Sequence, residues 1–343
     1  MNGKKTSRVT LQQVADHAGV SKSTASLTLR GHPRIPAKTR EKVLASMKSL
    51  GYVYDRVAAN LRSQSSSTIG LIISEISNPF FSELVEGVQQ TLDKQGYTVL
   101  LGATGDSPTK QETLLFMMLE YRVGGVIVSP VSGSSHENLD QLKQWGIPMV
   151  IATREPLQMT NYDFVGVDNI AGSKMAVEYL IANGHRRIAL LGGSPQISTW
   201  RDRKQGYLDA LTQAGIEIDE SLVMEGPITR KGGIEIVERI LRHPIPPTAA
   251  LCFNDVVALG VMKGLKAAGM QPGPDFSVIG FDNISESAVH SPELTTVSTF
   301  PDKMGKHAAE LLHQRIVGMV EPPKRIILKP ELVVRESCSS LRL

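Results

Sequence analysis

Two cysteines in 343 residues, Cys252 and Cys338, are too few for a disulfide framework and offer no metal-ligand spacing. Each reads as a small thiol in a reducing compartment. The eight histidines are scattered, none at metal or triad spacing. No run approaches the roughly 18 consecutive apolar residues that cross a membrane. The N-terminal MNGKKTSR is basic but has no apolar segment behind it, so secretion is not expected. The chain also has no G-x-G-x-x-G after a strand, no G-x-x-x-x-G-K-[ST] and no G-x-S-x-G elbow; Gly3-Lys4 follows no strand. These absences argue against an enzyme, and no cofactor, metal or catalytic residue is expected. The expected location is the cytoplasm, beside the nucleoid.

What is present is an ordinary globular composition, 41% hydrophobic and 21% charged, long enough for a small domain on a large one. The net charge of +3 hides a division. Residues 1–64 hold twelve Lys and Arg against three Asp and Glu, a net of +9, and the remainder holds 25 against 31, a net of −6. A basic head on a mildly acidic body suits a polyanionic partner for the head alone.

The head contains VTLQQVADHAGVSKSTASLTL, residues 9–29. Leu11, Val14, Ala15 and Ala18 recur at helical spacing. Gly19 supplies a sharp turn, and Ser21 is placed to cap a second helix. That helix presents Lys22, Ser23, Thr24, Ser26 and Thr28, side chains short enough to let it press against phosphates or base edges. Any αα-hairpin with a glycine turn shares part of this pattern; the helix-turn-helix reading makes Lys22–Thr28 the recognition helix. Pro36 fits the first turn of a third helix, with Val43, Leu44, Met47 and Leu50 as its stripe and Gly51 at its end. Residues 55–67, serine-rich at their far end, read as a hinge or linker.

From Ile69 the chain alternates apolar runs with helical stretches. IGLII, YTVLL, GGVIVS and PMVIA are strands, with helices at Phe80–Gln95, Gln111–Tyr121 and Leu139–Trp145. The pattern restarts at RIALLGG and runs through LVMEG, AALCF and FSVIGFD, with helices at Arg203–Ala214, Gly233–Arg242 and Val256–Ala268. Continuous apolar strands between helices indicate parallel sheets covered on both faces, here in two similar lobes. A last helix, Met304–Ile316, and the strands of IILKPELVV pass between or edge the lobes.

Two doubly wound lobes place a ligand outside the carboxyl ends of their strands. The polar groups there are Ser77, Asn78, Ser129, Ser132, Thr153, Arg154, Asp168, Asn169, Arg203, Asn254, Asp255, Asp282 and Asn283, with Phe80. Aromatic faces with Asn, Asp and Arg hold sugars or nucleobases. Asn78, Asp168 and Asn254 precede helices and serve equally well as caps. Each of the others also has an alternative as a cap or turn former, and Arg203 and Asp282 are the hardest to explain that way.

The chain resembles the lactose/galactose-repressor family of bacterial transcription regulators. The resemblance is carried by VTLQQVADHAGVSKSTAS, AKTREKVLASMKSLGY, IGLIISEISNPFFSELVEGV, RVGGVIVSP, GHRRIALLGG, PPTAALCFND, ALGVMKGLKAAG and SVIGFDN, in the family's order over roughly residues 9–335. It implies a three-helix helix-turn-helix head at 8–54, a hinge at 55–67, and a two-lobed doubly wound α/β core at 68–336 of the periplasmic-binding-protein type I kind. It also implies a homodimer on double-stranded, pseudo-palindromic operator DNA, controlled by a small-molecule effector. Lys22, Ser23 and Leu27 match base-reading positions, and Leu61 matches a hinge leucine that wedges into the minor groove. The candidate DNA-contacting set is Thr10, Leu11, Ser21, Lys22, Ser23, Thr24, Ser26, Leu27, Arg40, Ala58 and Leu61; the effector set is Phe80, Ser132, Arg154, Arg203, Asn254 and Asp282.

Leu27 replaces an arginine found in many members, which favours a thymine-methyl contact over an arginine–guanine pair. Pro36 stands where many members have a Ser or Asp cap, and Tyr54-Asp55 where many have Pro-Asn. The chain ends in ESCSSLRL without a leucine-heptad tail, so a dimer is expected. The effector groups suit a sugar, a sugar phosphate or a purine, and Arg203 leaves an anionic ligand open. A solute-binding protein without a DNA role would share the core, but it would need an export signal and no basic head.

Overall fold

The computed structural model describes residues 9–29, 32–53, 66–132, 136–155 and 161–341. The chain divides into two compact units, residues 1–65 and 66–343. The first unit is three helices, α1 (Leu11–Ala18), α2 (Lys22–Leu29) and α3 (Ala37–Leu50). Thr10 closes a capping box at the start of α1: its hydroxyl accepts from the Gln13 N–H, and the Gln13 side chain accepts from the Thr10 N–H. Gly19 takes a left-handed φ of 62°, so α1 can stop and turn within two residues of α2. The Ser21 hydroxyl accepts from the Thr24 N–H at 3.1 Å and caps α2.

The small core of this unit is Val14, Ala15, Ala18, Ala25 and Val43, flanked by Val9, Leu11, Val20, Met47, Leu50 and Tyr52. Leu44, expected on the buried stripe of α3, is 48% exposed. Thr28, expected on the exposed face of α2, is 4% exposed and donates its hydroxyl to the Thr24 carbonyl at 2.9 Å. A threonine satisfied within its own helix buries its methyl group at little cost. Pro36 sits at the N-cap position of α3 and makes no side-chain cap. Ala58 and Leu61, expected in a hinge, lie outside the described residues, as does Gly31.

The second unit opens with β1 (Thr68–Ile73), α4 (Pro79–Lys94), β2 (Thr98–Ala103), α5 (Pro108–Glu120), β3 (Val126–Val128), α6 (His136–Gln144), β4 (Met149–Ala152) and β5 (Asp163–Val167). It continues into a second lobe: α7 (Asn169–Ala182), β6 (Ile188–Leu191), α8 (Ser198–Gln213), β7 (Val223–Met224), α9 (Arg230–Leu241), β8 (Ala249–Cys252), α10 (Asp255–Ala267), β9 (Ser277–Asp282), α11 (Glu286–Val289) and β10 (Thr295–Ser298). The chain then returns to the first lobe as α12 (Pro301–Ile316) and β11 (Arg325–Leu328), and ends its strands in the second with β12 (Glu331–Val333).

The sheet orders are β11-β5-β4-β3-β1-β2 and β12-β10-β9-β8-β6-β7. Every pairing is parallel except β12 on β10. The late strands edge the two sheets, as read from the sequence, and α12 buries Met304 and Ala308 in the same core cluster as Leu84 and Val88 of α4. Four elements extend the expected alternation, namely β5, α7, α11 and β10. Both sheets reverse direction beside their first strand, at β1/β3 and at β6/β8. Ligands bind outside the carboxyl ends of strands at such points.

Candidate functional site

In the head, the polar edge of α2 carries Lys22 and Ser23, both exposed, and Thr24, Ser26 and Leu27, each half-buried. The Ser21 hydroxyl lies 2.8 Å from the Ser23 and Thr24 hydroxyls, so the start of α2 is a chain of interchangeable donors and acceptors. That chemistry suits phosphate oxygens and base edges. Thr10 is exposed and Leu11 half-buried at the start of α1. Arg40 turns inward: an Nη donates to the His32 carbonyl at 3.2 Å, and among the described residues its buried Nε has no partner.

In the core, a cavity of about 650 Å³ opens where the strands of both sheets end. Ser74 and Glu75 follow β1, Gly105 and Asp106 follow β2, and Thr153 and Arg154 follow β4. From the second lobe, Gly193 and Ser194 follow β6, Phe253 and Asn254 follow β8, and Asp282 ends β9. Asn78 and Phe80 enter from α4, Asn169 from α7, and Thr199 and Arg203 from α8.

Arg203 is the hub. It is 7% exposed and sits 3.7 Å above the Phe281 ring centroid and 4.8 Å from that of Phe253. Its Nε donates to the Asn169 side chain at 2.9 Å, one Nη donates to the Phe253 carbonyl, and the other lies 3.6 Å from the Asp282 carboxylate. Burial lowers the affinity of the Arg203 guanidinium for its proton, and the Asp282 and Asp255 carboxylates oppose that shift. Burial pushes the Asp282 carboxyl up, and the Arg203 charge pulls it back. The Arg203 charge therefore stands beside a carboxyl that burial makes reluctant to ionise and that the guanidinium only partly restores.

Asp282 has a φ of 121° and Asn283 a φ of 58°, both in the left-handed region, so the turn after β9 is strained. It is braced from beneath. Buried Asp255 accepts from the Ile284 N–H at 2.9 Å and the Ser287 hydroxyl at 2.7 Å, and also from Thr296. On the other wall Arg154 pairs with Asp106 at 2.5 Å, and the Ser129 and Thr153 hydroxyls meet at 2.6 Å. The Ser74 hydroxyl is buried and has no partner among the described residues.

Five of the six residues expected at the effector site, Phe80, Arg154, Arg203, Asn254 and Asp282, line this one cavity. Ser132 is not among its lining residues; its hydroxyl is buried and unpartnered among the described residues. Asn78, Asp168 and Asn254 do cap helices, accepting from Phe80, Ala171 and Val257 N–H groups. Asn78 and Asn254 nevertheless line the cavity, whereas Asp168 does not. Sequence reasoning missed Ser74, Glu75, Asp106, Ile197, Glu225 and Phe253. The signal for Ser74 and Phe253 was their place directly after the apolar runs of β1 and β8.

Gly193 sets the closeness of one wall. Its φ is 75°, and a Cβ there would stand 2.4 Å from Cδ1 of Trp200, whose indole N–H is fixed to the Gly192 carbonyl at 2.9 Å. Gly193→Ala is expected to destabilise the core by about 1–3 kcal/mol and to weaken ligand binding, measured by thermal unfolding with and without ligand.

Comparison with known proteins agrees with this geometry. Residues 10–55 match the model for bacterial regulatory proteins of the lacI family, and residues 177–338 match a periplasmic binding protein-like domain. The HTH-type transcriptional repressor PurR of Vibrio vulnificus (strain CMCP6) is 34% identical over 334 residues, covering 97% of this chain and 99% of its own. This chain belongs to the LacI family. It is a transcriptional repressor of that family, with a DNA-binding head and an effector-binding core. Among solved structures, the lac repressor dimer bound to operator and the anti-inducer ONPF aligns with a TM-score of 0.84 and 29% identity, over 97% of this LacI-family chain and 99% of that one. The CelR–cellobiose complex aligns with a TM-score of 0.73 and 32% identity, over 96% and 100%.

Proposed function

We propose that this LacI-family repressor binds a pseudo-palindromic operator as a cytoplasmic homodimer and carries out no catalysis. A sugar or sugar derivative in the cleft sets its operator affinity. The observation that carries the reading is the cavity itself. Arg203, Asn254 and Asp282 from one lobe face Phe80, Asn78 and Arg154 from the other, so a ligand touching both sets senses the angle between lobes. Two solved relatives carry carbohydrate ligands, the CelR–cellobiose complex and a LacI-family regulator of Enterococcus faecium with bound ribose.

In the head, Lys22, Ser23 and Leu27 read base edges, and Thr10, Leu11, Ser21, Thr24 and Ser26 hold the backbone. Arg40, one Nη of which donates to the His32 carbonyl, acts at the phosphates, while Ala58 and Leu61 supply the minor-groove wedge. The test is to select fragments of the source genome on the immobilised protein. One recurring pseudo-palindrome is expected, and fragments retained without a shared sequence would contradict the reading.

A further inference from the structure

We propose that the cleft takes an uncharged, disaccharide-sized carbohydrate and discriminates against phosphorylated sugars. This rests on the effector reading above and narrows it by charge and by size.

Four carboxylates line the cavity, Glu75, Asp106, Glu225 and Asp282, against two guanidiniums, Arg154 and Arg203. Neither guanidinium is free. Arg154 is held by Asp106 at 2.5 Å, and Arg203 faces Asp282 at 3.6 Å while its Nε and one Nη serve Asn169 and the Phe253 carbonyl. A phosphate would meet Arg154 already paired with Asp106, Arg203 already bonded to Asn169 and the Phe253 carbonyl, and two further carboxylates, Glu75 and Glu225. Hydroxyl groups face no such conflict. They can donate to Asp282 and Asn254, accept from the remaining Arg203 N–H groups, and satisfy the unpartnered Ser74 hydroxyl.

Size gives the second constraint. A dry cavity of about 150 Å³ accommodates benzene, so each non-hydrogen atom needs roughly 25 Å³. A cavity of about 650 Å³ then holds on the order of 26 such atoms. A monosaccharide has about 12 and a disaccharide about 23, so one ring fills half the space. The walls divide accordingly. The charged and amide groups gather around Arg203, and Phe253, whose ring lies 4.8 Å from the Arg203 guanidinium, leads from them into an apolar cluster with Ile197 and Trp200, against which Ile228 packs. The hydroxyls of Ser194 and Thr229 also line the cavity. One ring sits on the polar set with Phe80 at its apolar face; the second lies against the wall of Ile197, Phe253 and Ile228.

The test is calorimetry on the full chain with four sets of probes. They are maltose, cellobiose, sucrose and trehalose; glucose and ribose; the 6-phosphates of glucose, sucrose and trehalose; and hypoxanthine. One neutral disaccharide is expected to bind at least tenfold more tightly than either monosaccharide and at least a hundredfold more tightly than any phosphate. Ile228→Trp, at a half-buried loop position, should weaken the disaccharide tenfold or more and leave monosaccharide binding unchanged. Asp106→Asn keeps a residue type that tolerates the local φ of 59° and releases Arg154. Phosphate-sugar binding should then gain at least tenfold. Tighter binding of a phosphate or hypoxanthine, equal binding of a monosaccharide, or no binding by any neutral disaccharide overturns the inference. Operator binding measured in parallel separates the two levels. A phosphorylated sugar or a purine that shifts it sinks this inference and leaves the switched repressor standing. An operator complex indifferent to every probe that binds sinks the switch.

Discussion

Arg203→Met is expected to lower the stability of the core by about 3–5 kcal/mol and to abolish the ligand-induced rise in melting temperature. The cost comes less from the lost bonds than from what is left behind. Asp282 would remain buried without a counter-charge, beside the equally buried Asp255, and the Asn169 amide and Phe253 carbonyl would lose their donor. The double variant Arg203→Met, Asp282→Asn removes both charges and should recover most of the stability, because replacing a buried ion pair by neutral groups is often close to neutral. Ligand binding should not recover, since the polar set that meets the hydroxyls is gone. Linkage makes the same point through pH. The raised carboxyl of Asp282 is opposed by Arg203, so the single variant lets burial act alone and lifts it further. A group with a raised folded-state pKa contributes stability at low pH and loses it as pH rises. Arg203→Met should therefore recover stability towards acid, and the double variant should not show that trend. Equal melting temperatures for wild type and Arg203→Met across pH would refute the buried-pair description.

Raising salt from 50 to 200 mM is expected to weaken operator binding by roughly 10³–10⁵ if about 6–10 phosphates are neutralised per complex. The motive is the net of +9 in residues 1–64, opposite in sign to the rest of the chain. Lys22→Ala should reduce the salt slope by about one unit per copy and alter base preference, since Lys22 is exposed at the start of α2. Leu61→Ala should act differently, costing on the order of 1–3 kcal/mol with the slope unchanged, because a wedge releases no counterions. Binding that is flat in salt, or equal losses of slope in both variants, would separate the head from the polyanion role assigned to it.

The fold was legible wherever apolar runs alternated with helical stripes, since strands buried on both faces show up as continuous Ile, Leu and Val. It was illegible where burial used small or polar residues. Helix α7 buries Gly172, Ser173 and Ala176 together with Val177 and Leu180, so its pattern has no strong apolar stripe. Strand β10 is Thr-Thr-Val-Ser and fully buried, its hydroxyls spent on Asp255 and on the Arg335 N–H. Nothing local announces that such a strand is internal. Likewise Leu44 reads as core from its spacing but lies exposed on a helix that needs only Val43, Met47 and Leu50 for a small core.

The site followed the same division. Arg203 and Asp282 stood out because a cap or turn role explains them least well, and they are the pair at its centre. Asp106 and Glu225 were invisible, being exposed loop acids that matter because they line the cleft, Asp106 in an ion pair with Arg154. Their presence changes the electrostatic reading. Arg203 alone leaves an anionic ligand open; Arg203 and Arg154 with four carboxylates favour a neutral one.

The repressor is a switch only if its two binding events are coupled, and fluorescence anisotropy of labelled operator under ligand titration measures that coupling directly. Saturating ligand is expected to change operator affinity by about 5–150-fold, or 1–3 kcal/mol, and saturating operator should change ligand affinity by the same factor. The Arg203→Met, Asp282→Asn protein should bind operator normally and show no change. If wild type binds both ligand and operator, and neither alters the other's affinity, the cleft does not control the head.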